Sequence, residues 1–321
     1  MRLKKIIAVM LTSLLLLHHA AASENPLFRE LLDRGVEMSD GTFVKLPPPI
    51  LADDLDAAEQ KSALAKALDS PTTLDALLQK SFYAPVVVKV RTLKPPTEES
   101  PGIRTVDCWF VLHGDWGILT SADFLESALK TSEEGKSRVL LRSGVLNETE
   151  LAARNLSPAK SDAFEEKFTY ATVVLFERVE LSATRKVVLT RGPDWVLAAA
   201  AVAPNFSDDK EYPNCWRSLL RDERAEIKLG PPYPFAHAGG YAKLTRLKEP
   251  SEAIFVECHL AYEEDYGWFD GANLVRQKAP LMVQEKVRTV RRKLALASAE
   301  KTQQREETSQ KKALKPSAVE P

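Results

Sequence analysis

The sequence has few of the residues that carry out most enzyme chemistry. Its 321 residues include only three cysteines and five histidines. Three cysteines are too few for a disulfide framework, and there is no Cys-x-x-Cys or paired-histidine motif to bind a metal ion. The serine-hydrolase elbow and the glycine-rich loop that holds phosphates are also absent. These absences favour a protein that binds a partner over an enzyme, and they predict no cofactor.

Charge and hydropathy argue against two further classes of protein. The chain carries 44 Lys and Arg against 45 Asp and Glu, so it lacks the basic excess that nucleic-acid binding requires. One apolar run stands out, at residues 6–17, and about a dozen residues are too few to span a bilayer comfortably. The next longest run, at 196–203, has the length of a strand. We therefore expect no nucleic-acid partner and no transmembrane span in the mature protein.

Residues 1–22 have the order of a secretory signal peptide. Arg2, Lys4 and Lys5 precede the apolar run, and three alanines at 20–22 form a small-residue cleavage site. We expect cleavage before Ser23 and export to the periplasm or the extracellular medium. No cysteine stands directly after the predicted cleavage site, so a lipid anchor is not expected.

The rest of the chain is predicted to divide into three parts. Residues 23–80 form a mostly helical segment, with a hairpin at Asp40-Gly41. Residues 81–297 form an α+β domain, in which a curved antiparallel sheet is followed by a long C-terminal amphipathic helix. That helix is predicted to begin at Pro280, since proline favours the first helical position. Residues 298–321 are rich in charge and poor in apolar residues, which predicts a disordered tail.

Alternating apolar residues and turn signals locate the strands. We predict strands at 86–92, 104–112, 168–181, 185–191, 194–203, 241–247 and 253–263. Residues 182–184 are predicted to break the sheet, 211–222 to be irregular, and 230–240 to form a Gly/Pro-rich loop. In the last strand, Cys258 falls on the apolar face, while Glu257 and His259 fall on the other face and are expected to meet solvent.

The end of the chain resembles the end of START-like, or helix-grip, domains. Two strands are followed by Tyr266-Gly267-Trp268-Phe269 and then by Lys278-Ala279-Pro280, where the long helix starts. The resemblance covers residues 168–297. It implies a helix lying across a curved sheet and a cavity between them that holds a lipid or another apolar molecule. The whole chain also resembles uncharacterised secreted bacterial proteins, and that resemblance implies no function.

The resemblance leads to a first hypothesis, a secreted non-catalytic protein that binds a lipid or apolar small molecule. The predicted cavity lining is Val173, Leu175, Val188, Val196, Val256, Leu260, Val283 and Val287. These side chains suit a closed core equally well, and the pattern does not separate the two. His237, Gly239 and Gly240 lie in the loop before a strand. That loop could gate such a cavity, or it could be a plain connection that uses glycine for positive φ.

Two alternative functions remain open. His113 and Asp115 follow a predicted strand two residues apart, a spacing at which imidazole and carboxylate could share a metal ion or serve a hydrolase. The second alternative is an envelope interaction module without a cavity, using the helical segment or the charged tail. In that setting the basic face of the last helix could make peripheral contact with anionic lipid. Cys108 and Cys258 are predicted to be buried, and whether two of Cys108, Cys215 and Cys258 pair is left open.

Overall fold

The computed structural model describes residues 25–68, 71–121, 124, 140–221 and 227–313. The predicted signal peptide and residues 314–321 of the predicted tail lie outside this part. The helices are α1 (Pro26–Asp33), α2 (Ala57–Ala67), α3 (Pro71–Leu78), α4 (Trp116–Leu119), α5 (Glu148–Ala152) and α6 (Leu274–Ala313). Short 3-10 turns occupy Pro204–Phe206 and Tyr266–Trp268.

Two strands form a small hairpin, and eleven others in the described chain form one sheet. The hairpin consists of β1 (Val36–Glu37) and β2 (Phe43–Val44). The large sheet contains β3 (Val87–Lys94), β4 (Gly102–His113), β5 (Leu140–Val145), β6 (Glu165–Leu175), β7 (Val179–Arg191), β8 (Trp195–Val202), β9 (Cys215–Arg221), β10 (Ile227–Leu229), β11 (Tyr233–Pro234), β12 (Ala238–Arg246) and β13 (Ala253–Glu264).

All pairings in the large sheet are antiparallel, in the order β5-β6-β7-β8-β12-β13-β4-β3. Strand β9 also pairs with β7, beyond the end of β8, and carries β10 and β11. Together with α6, this sheet confirms the predicted α+β class and its long C-terminal helix. The hairpin at Asp40-Gly41 is also confirmed, and Gly41 takes a φ of +77° there.

The predicted strand at 168–181 is wrong, because the chain reverses inside it. Strands β6 and β7 form a hairpin whose turn contains Phe176 and Glu177, both with positive φ (52° and 60°). Neither residue is a turn former, since this conformation normally favours Gly, Asn or Asp. The predicted break at 182–184 instead lies within β7, and the segment predicted to be irregular at 211–222 contains β9.

Helix α6 covers one face of the sheet, called here the inner face. The apolar stripe Val283, Val287, Val290 and Leu294 packs on side chains of the central strands, including Phe110, Val196, Leu244 and Val256. Cys108 and Cys258 are buried on this face at directly opposed positions of β4 and β13, as predicted for their burial. Burial raises the pKa of the Cys258 thiol to about 12.

The opposite, outer face is covered by the segment before β3. Helix α1 packs Leu27, Phe28 and Leu31 on Trp195, Leu197 and Tyr241. Leu51 and the leucines of α2 and α3 pack on Trp109, Val111 and Phe255. Asn25 anchors this layer, because its side chain accepts from Phe28 N and donates to the carbonyl of Val188, each at 2.9 Å. The central strands of the sheet are therefore buried on both faces.

Helix α6 is longer at both ends than predicted. It begins at Leu274 and passes through Pro280, which therefore lies inside the helix and not at its first position. It continues to Ala313, so residues 298–313, which were predicted to be disordered, are helical in the structure. The Lys, Glu and Gln of that stretch are strong helix formers. Among the described residues, no helix is both long and apolar enough to cross a membrane.

Candidate functional site

A cavity of about 190 Å³ lies between the inner face of the sheet and the first turns of α6. Its wall comes from β6, β7, β8, β12, β13 and α6. Val173, Leu175 and Leu260 face it from the strands, and Val275, Ala279 and Val283 face it from the helix. The space is therefore bounded by aliphatic side chains from most of the central strands.

Small residues on the central strands leave the space open. Ala200 of β8 lies opposite Gly240 of β12, and Ala198 lies opposite Ala242 on the same pair of strands. All four line the cavity, and none has a side chain larger than a methyl group. A large residue at Ala198, Ala200 or Ala242 would fill the gap between sheet and helix.

Aromatic rings form another part of the wall. Phe235, Tyr262 and Trp268 line the cavity together. The rings of Tyr262 and Trp268 stack at 6.3 Å, and Phe235 lies 5.8 Å from Trp268. Trp268 belongs to the Gly-aromatic segment before α6, so this segment contributes directly to the cavity.

One end of the inner face carries a buried ion pair. Arg104 donates from Nε and Nη2 to the two carboxylate oxygens of Glu264, at 2.7 and 2.6 Å. Its Nη1 donates to Thr92 and, at 3.0 Å, to Asn273, the residue just before α6. This network links β3, β4 and β13 to the start of the helix that covers the cavity.

A long helix over an antiparallel sheet with a cavity between them is the arrangement that the sequence resemblance implies. The chain has a weak START-like resemblance to solved structures. The crystal structure of human STARD10 matches with a TM-score of 0.34 and 6% identity, covering 80% of this chain and 87% of that one. The human StarD13 (DLC2) lipid transfer and protein localization domain matches with a TM-score of 0.34 and 6% identity, covering 72% and 96%. No protein-family model and no curated protein matches the chain.

The structure brings together only half of the eight residues predicted to line the cavity. Val173, Leu175, Leu260 and Val283 lie in its wall. Val196, Val256 and Val287 pack in the adjoining closed core between sheet and helix. Val188 is a wrong assignment, since it lies on the outer face against α1. Whether the four wall residues contact a ligand stays a prediction.

The position of Val188 follows from strand alternation. Successive residues of a strand point to opposite faces, so Ala183 and Arg185 share the inner face and Val188 takes the outer one. Sequence reasoning expects an arginine outside and a valine inside. The sequence analysis therefore did not place Arg185 among the residues that line the cavity. The available signal was that Arg185 lies an even number of residues after Leu181 and Ala183, which puts all three on the same face of the strand.

The predicted gating loop is partly a strand. Gly239 and Gly240 belong to β12, and both line the cavity. A Cβ at Gly240 would lie 2.3 Å from the carbonyl oxygen of His259, so β12 and β13 approach closely there because residue 240 is glycine. His237 precedes the strand, and its Nδ1 lies 3.0 Å from the carbonyl oxygen of Glu37. His237 therefore contacts the β1–β2 hairpin, and a gating role of residues 237–240 stays a prediction.

The structure gives Asp115 a local structural role. Its carboxylate accepts from Ile118 N at 2.9 Å, which caps α4, and from Lys301 Nζ of α6 at 2.8 Å. His113 ends β4, and burial lowers its pKa while Glu252 opposes that shift. Within the described residues, no group of three or more His, Cys, Asp or Glu side chains could hold a metal ion.

A second group of buried polar side chains lies on the outer face, beneath the segment before β3. Asp107, Glu257 and His259 are each at most 1% exposed, so the expected solvent exposure of Glu257 and His259 is wrong. Asp107 lies 2.7 Å from His259 Nδ1 and also pairs with Arg91. Glu257 accepts from Ile50 N at 2.9 Å and lies 3.6 Å from His259 Nε2.

This group makes His259 a source of pH-dependent stability. Burial lowers the pKa of His259, but the bonds with Asp107 and Glu257 outweigh burial and raise the pKa above 6.5. A raised pKa in the folded state contributes stability that is fully present below pH 6.5 and is lost as the pH rises through the folded-state value. His259→Gln should therefore reduce the stability advantage of acidic over alkaline conditions.

Urea unfolding of the unaltered chain and of His259→Gln across neutral pH measures this difference. His113 titrates in both proteins and with the opposite sign, so the comparison cancels its contribution. The difference in unfolding free energy between the two proteins is expected to be largest below pH 6.5 and to shrink as the pH rises through the folded-state pKa of His259. A difference that does not vary with pH would contradict the assignment.

Proposed function

We propose that the protein binds a lipid or another apolar small molecule in the cavity between the sheet and α6, without chemical transformation of the ligand. The observation that carries the proposal is the cavity itself. It is lined by aliphatic and aromatic side chains, and the residues on the central strands that border it are small. Closed cores are packed to near-crystalline density, so such a space between two well-packed apolar clusters suits an apolar guest.

We also propose that binding takes place outside the cytoplasm, after removal of residues 1–22. Native mass spectrometry of the protein recovered from its export compartment tests both statements. The expected result is a chain that begins at Ser23 and a second mass that corresponds to a bound apolar molecule. A ligand-free mass that shows no uptake of added lipid or neutral apolar probe would contradict the binding proposal.

Ala200→Leu provides a test by filling the cavity. Leucine adds a branched aliphatic group where the strand residue is small, so it should occupy space that a ligand needs. We expect the affinity for a neutral apolar probe such as Nile red to fall about tenfold, which corresponds to roughly 1.4 kcal/mol. Fluorescence titration of the folded variant measures the change.

Ala58→Leu is the matched control. Ala58 is exposed on α2, on the other side of the sheet, so the same substitution there should leave probe affinity unchanged. Equal affinities of Ala200→Leu and the unaltered chain would show that the probe binds elsewhere. That result would remove this cavity as the binding site.

A further inference from the structure

Strand β3 leaves one edge of the large sheet open. It is the last strand in the pairing order, and within the described residues β4 is the one strand that pairs with it. Its regular part runs from Val87 to Thr92, where the register shift against β4 begins, and it contains no proline that would interrupt pairing. A strand edge of this kind presents unpaired backbone N–H and C=O groups, which can pair with a further strand.

A groove of about 520 Å³ runs along this edge. Successive residues of a strand point to opposite faces, and residues from both faces of β3 line the groove. Val88 and Val90 belong to the inner face, whereas Lys89 and Arg91 belong to the outer face. Arg276 bounds the groove from the start of α6. The groove therefore lies beside the edge, where an extended segment would continue the sheet.

The groove is cationic. Lys89 and Arg276 are exposed, and neither forms an ion pair with any residue that the structure describes. Lys89 Nζ lies 5.3 Å from the ring centroid of Trp109, which also lines the groove. Arg91 pairs with the buried Asp107, yet 59% of its side chain remains exposed. Since no described Asp or Glu lines the groove, its charge favours an acidic occupant.

We propose that β3 is a docking edge for an extended acidic segment of a partner protein, which adds to the sheet as a further strand. The backbone of β3 would supply hydrogen bonds, and the cations would select for Glu or Asp side chains. The same cations disfavour a second copy of this chain. Antiparallel pairing of two β3 strands about Val90 would place Lys89 opposite Arg91, and like charges at opposed positions are destabilising.

Fluorescence polarisation of the full chain with a labelled peptide, Thr-Glu-Val-Glu-Val-Glu-Thr, tests the proposal. It should bind roughly tenfold more tightly than Thr-Gln-Val-Gln-Val-Gln-Thr, because glutamine removes the charges and keeps a similar shape. N-methylation of the backbone amides of the acidic peptide should abolish binding, since it removes the donors that strand pairing needs. Equally tight binding of the methylated peptide would show that charge alone attracts it, and would overturn strand addition.

The double variant Lys89→Gln, Arg276→Gln should weaken binding of the acidic peptide roughly tenfold. Both side chains are exposed, so folding does not depend on them. The matched control is Lys160→Gln, Lys210→Gln, which removes the same net charge at exposed positions outside the groove and should leave the affinity unchanged. Equal weakening by the two double variants would show that net charge controls binding, and would contradict the assignment to this groove.

Sedimentation of the unaltered chain reports on the other possible occupant of the edge. The chain is expected to remain monomeric. A dimer that does not take up the acidic peptide would mean that a second copy occupies the edge, and absence of peptide binding by the monomer would also overturn the proposal. Neither result bears on the cavity, because the groove and the cavity share no lining residue.

Discussion

Replacing Arg104 by methionine is expected to lower the free energy of unfolding by about 3–5 kcal/mol. The side chains of Arg104 and Glu264 are only 2% and 1% exposed, so neither charge is solvated in the folded state. Methionine would leave the carboxylate of Glu264 buried without its counter-ion. It would also remove the bond to Asn273 that holds the start of α6. Urea unfolding at neutral pH, followed by circular dichroism, measures the loss.

The double variant Arg104→Met, Glu264→Leu separates two contributions to the free energy of unfolding. One is the cost of burying Glu264 without its counter-ion, and the other is the net contribution of the ion pair. It is expected to recover most of the stability, since apolar replacement of a buried pair is often neutral or stabilising. Lys80→Met is the surface comparison, because Lys80 and Glu252 form an exposed pair at 2.8 Å. Its effect should stay below about 1 kcal/mol. Similar losses from Arg104→Met and Lys80→Met would contradict the role given to the buried pair.

Phe255→Ala is expected to cost about 3–5 kcal/mol, the usual range for a fully buried aromatic residue. Phe255 is completely buried on the outer face, where Leu51, Leu64 and Leu77 of the segment before β3 pack against the sheet. The deletion would leave a void between two layers, and neither layer can close it without moving a helix. Chemical unfolding measures the loss of stability.

Limited proteolysis adds a more specific readout for this variant. Cleavage within residues 25–78 should become faster in Phe255→Ala, because the packing of that layer depends on the ring. Phe82→Ala removes the same side chain at a position that is 42% exposed and should change neither stability nor cleavage appreciably. Unchanged stability of Phe255→Ala would show that the first segment is not integral to the fold.

The sequence was most informative where a pattern has one dominant physical cause. The apolar stripe from Val283 to Leu294 predicts a buried helix face, and Asp40-Gly41 predicts a hairpin, because only a few residues tolerate positive φ. It was least informative at Phe176-Glu177. There the pairing of β6 with β7 stabilises a left-handed turn that neither residue favours.

Burial of both faces of the sheet explains most errors in the predicted site. The alternation rule assumes one wet face, so it placed Glu257 and His259 in solvent and Val188 in the cavity. In the structure, the segment before β3 covers the outer face. Charged side chains on that face pair with one another, as His259 does with Asp107 and Asp107 does with Arg91. A strand pattern alone does not report a second covering layer.

By itself, the sequence determined the α+β class, the long closing helix and the buried cysteines, because local periodicity is enough for each. Only the tertiary structure decided where a cavity lies and which groups line it. Whether a valine fills a core or borders a void depends on the opposed residues, and here these are Ala200, Gly240 and their neighbours. The inward position of Arg185 depends likewise on strand register, a long-range property that no stretch of sequence carries.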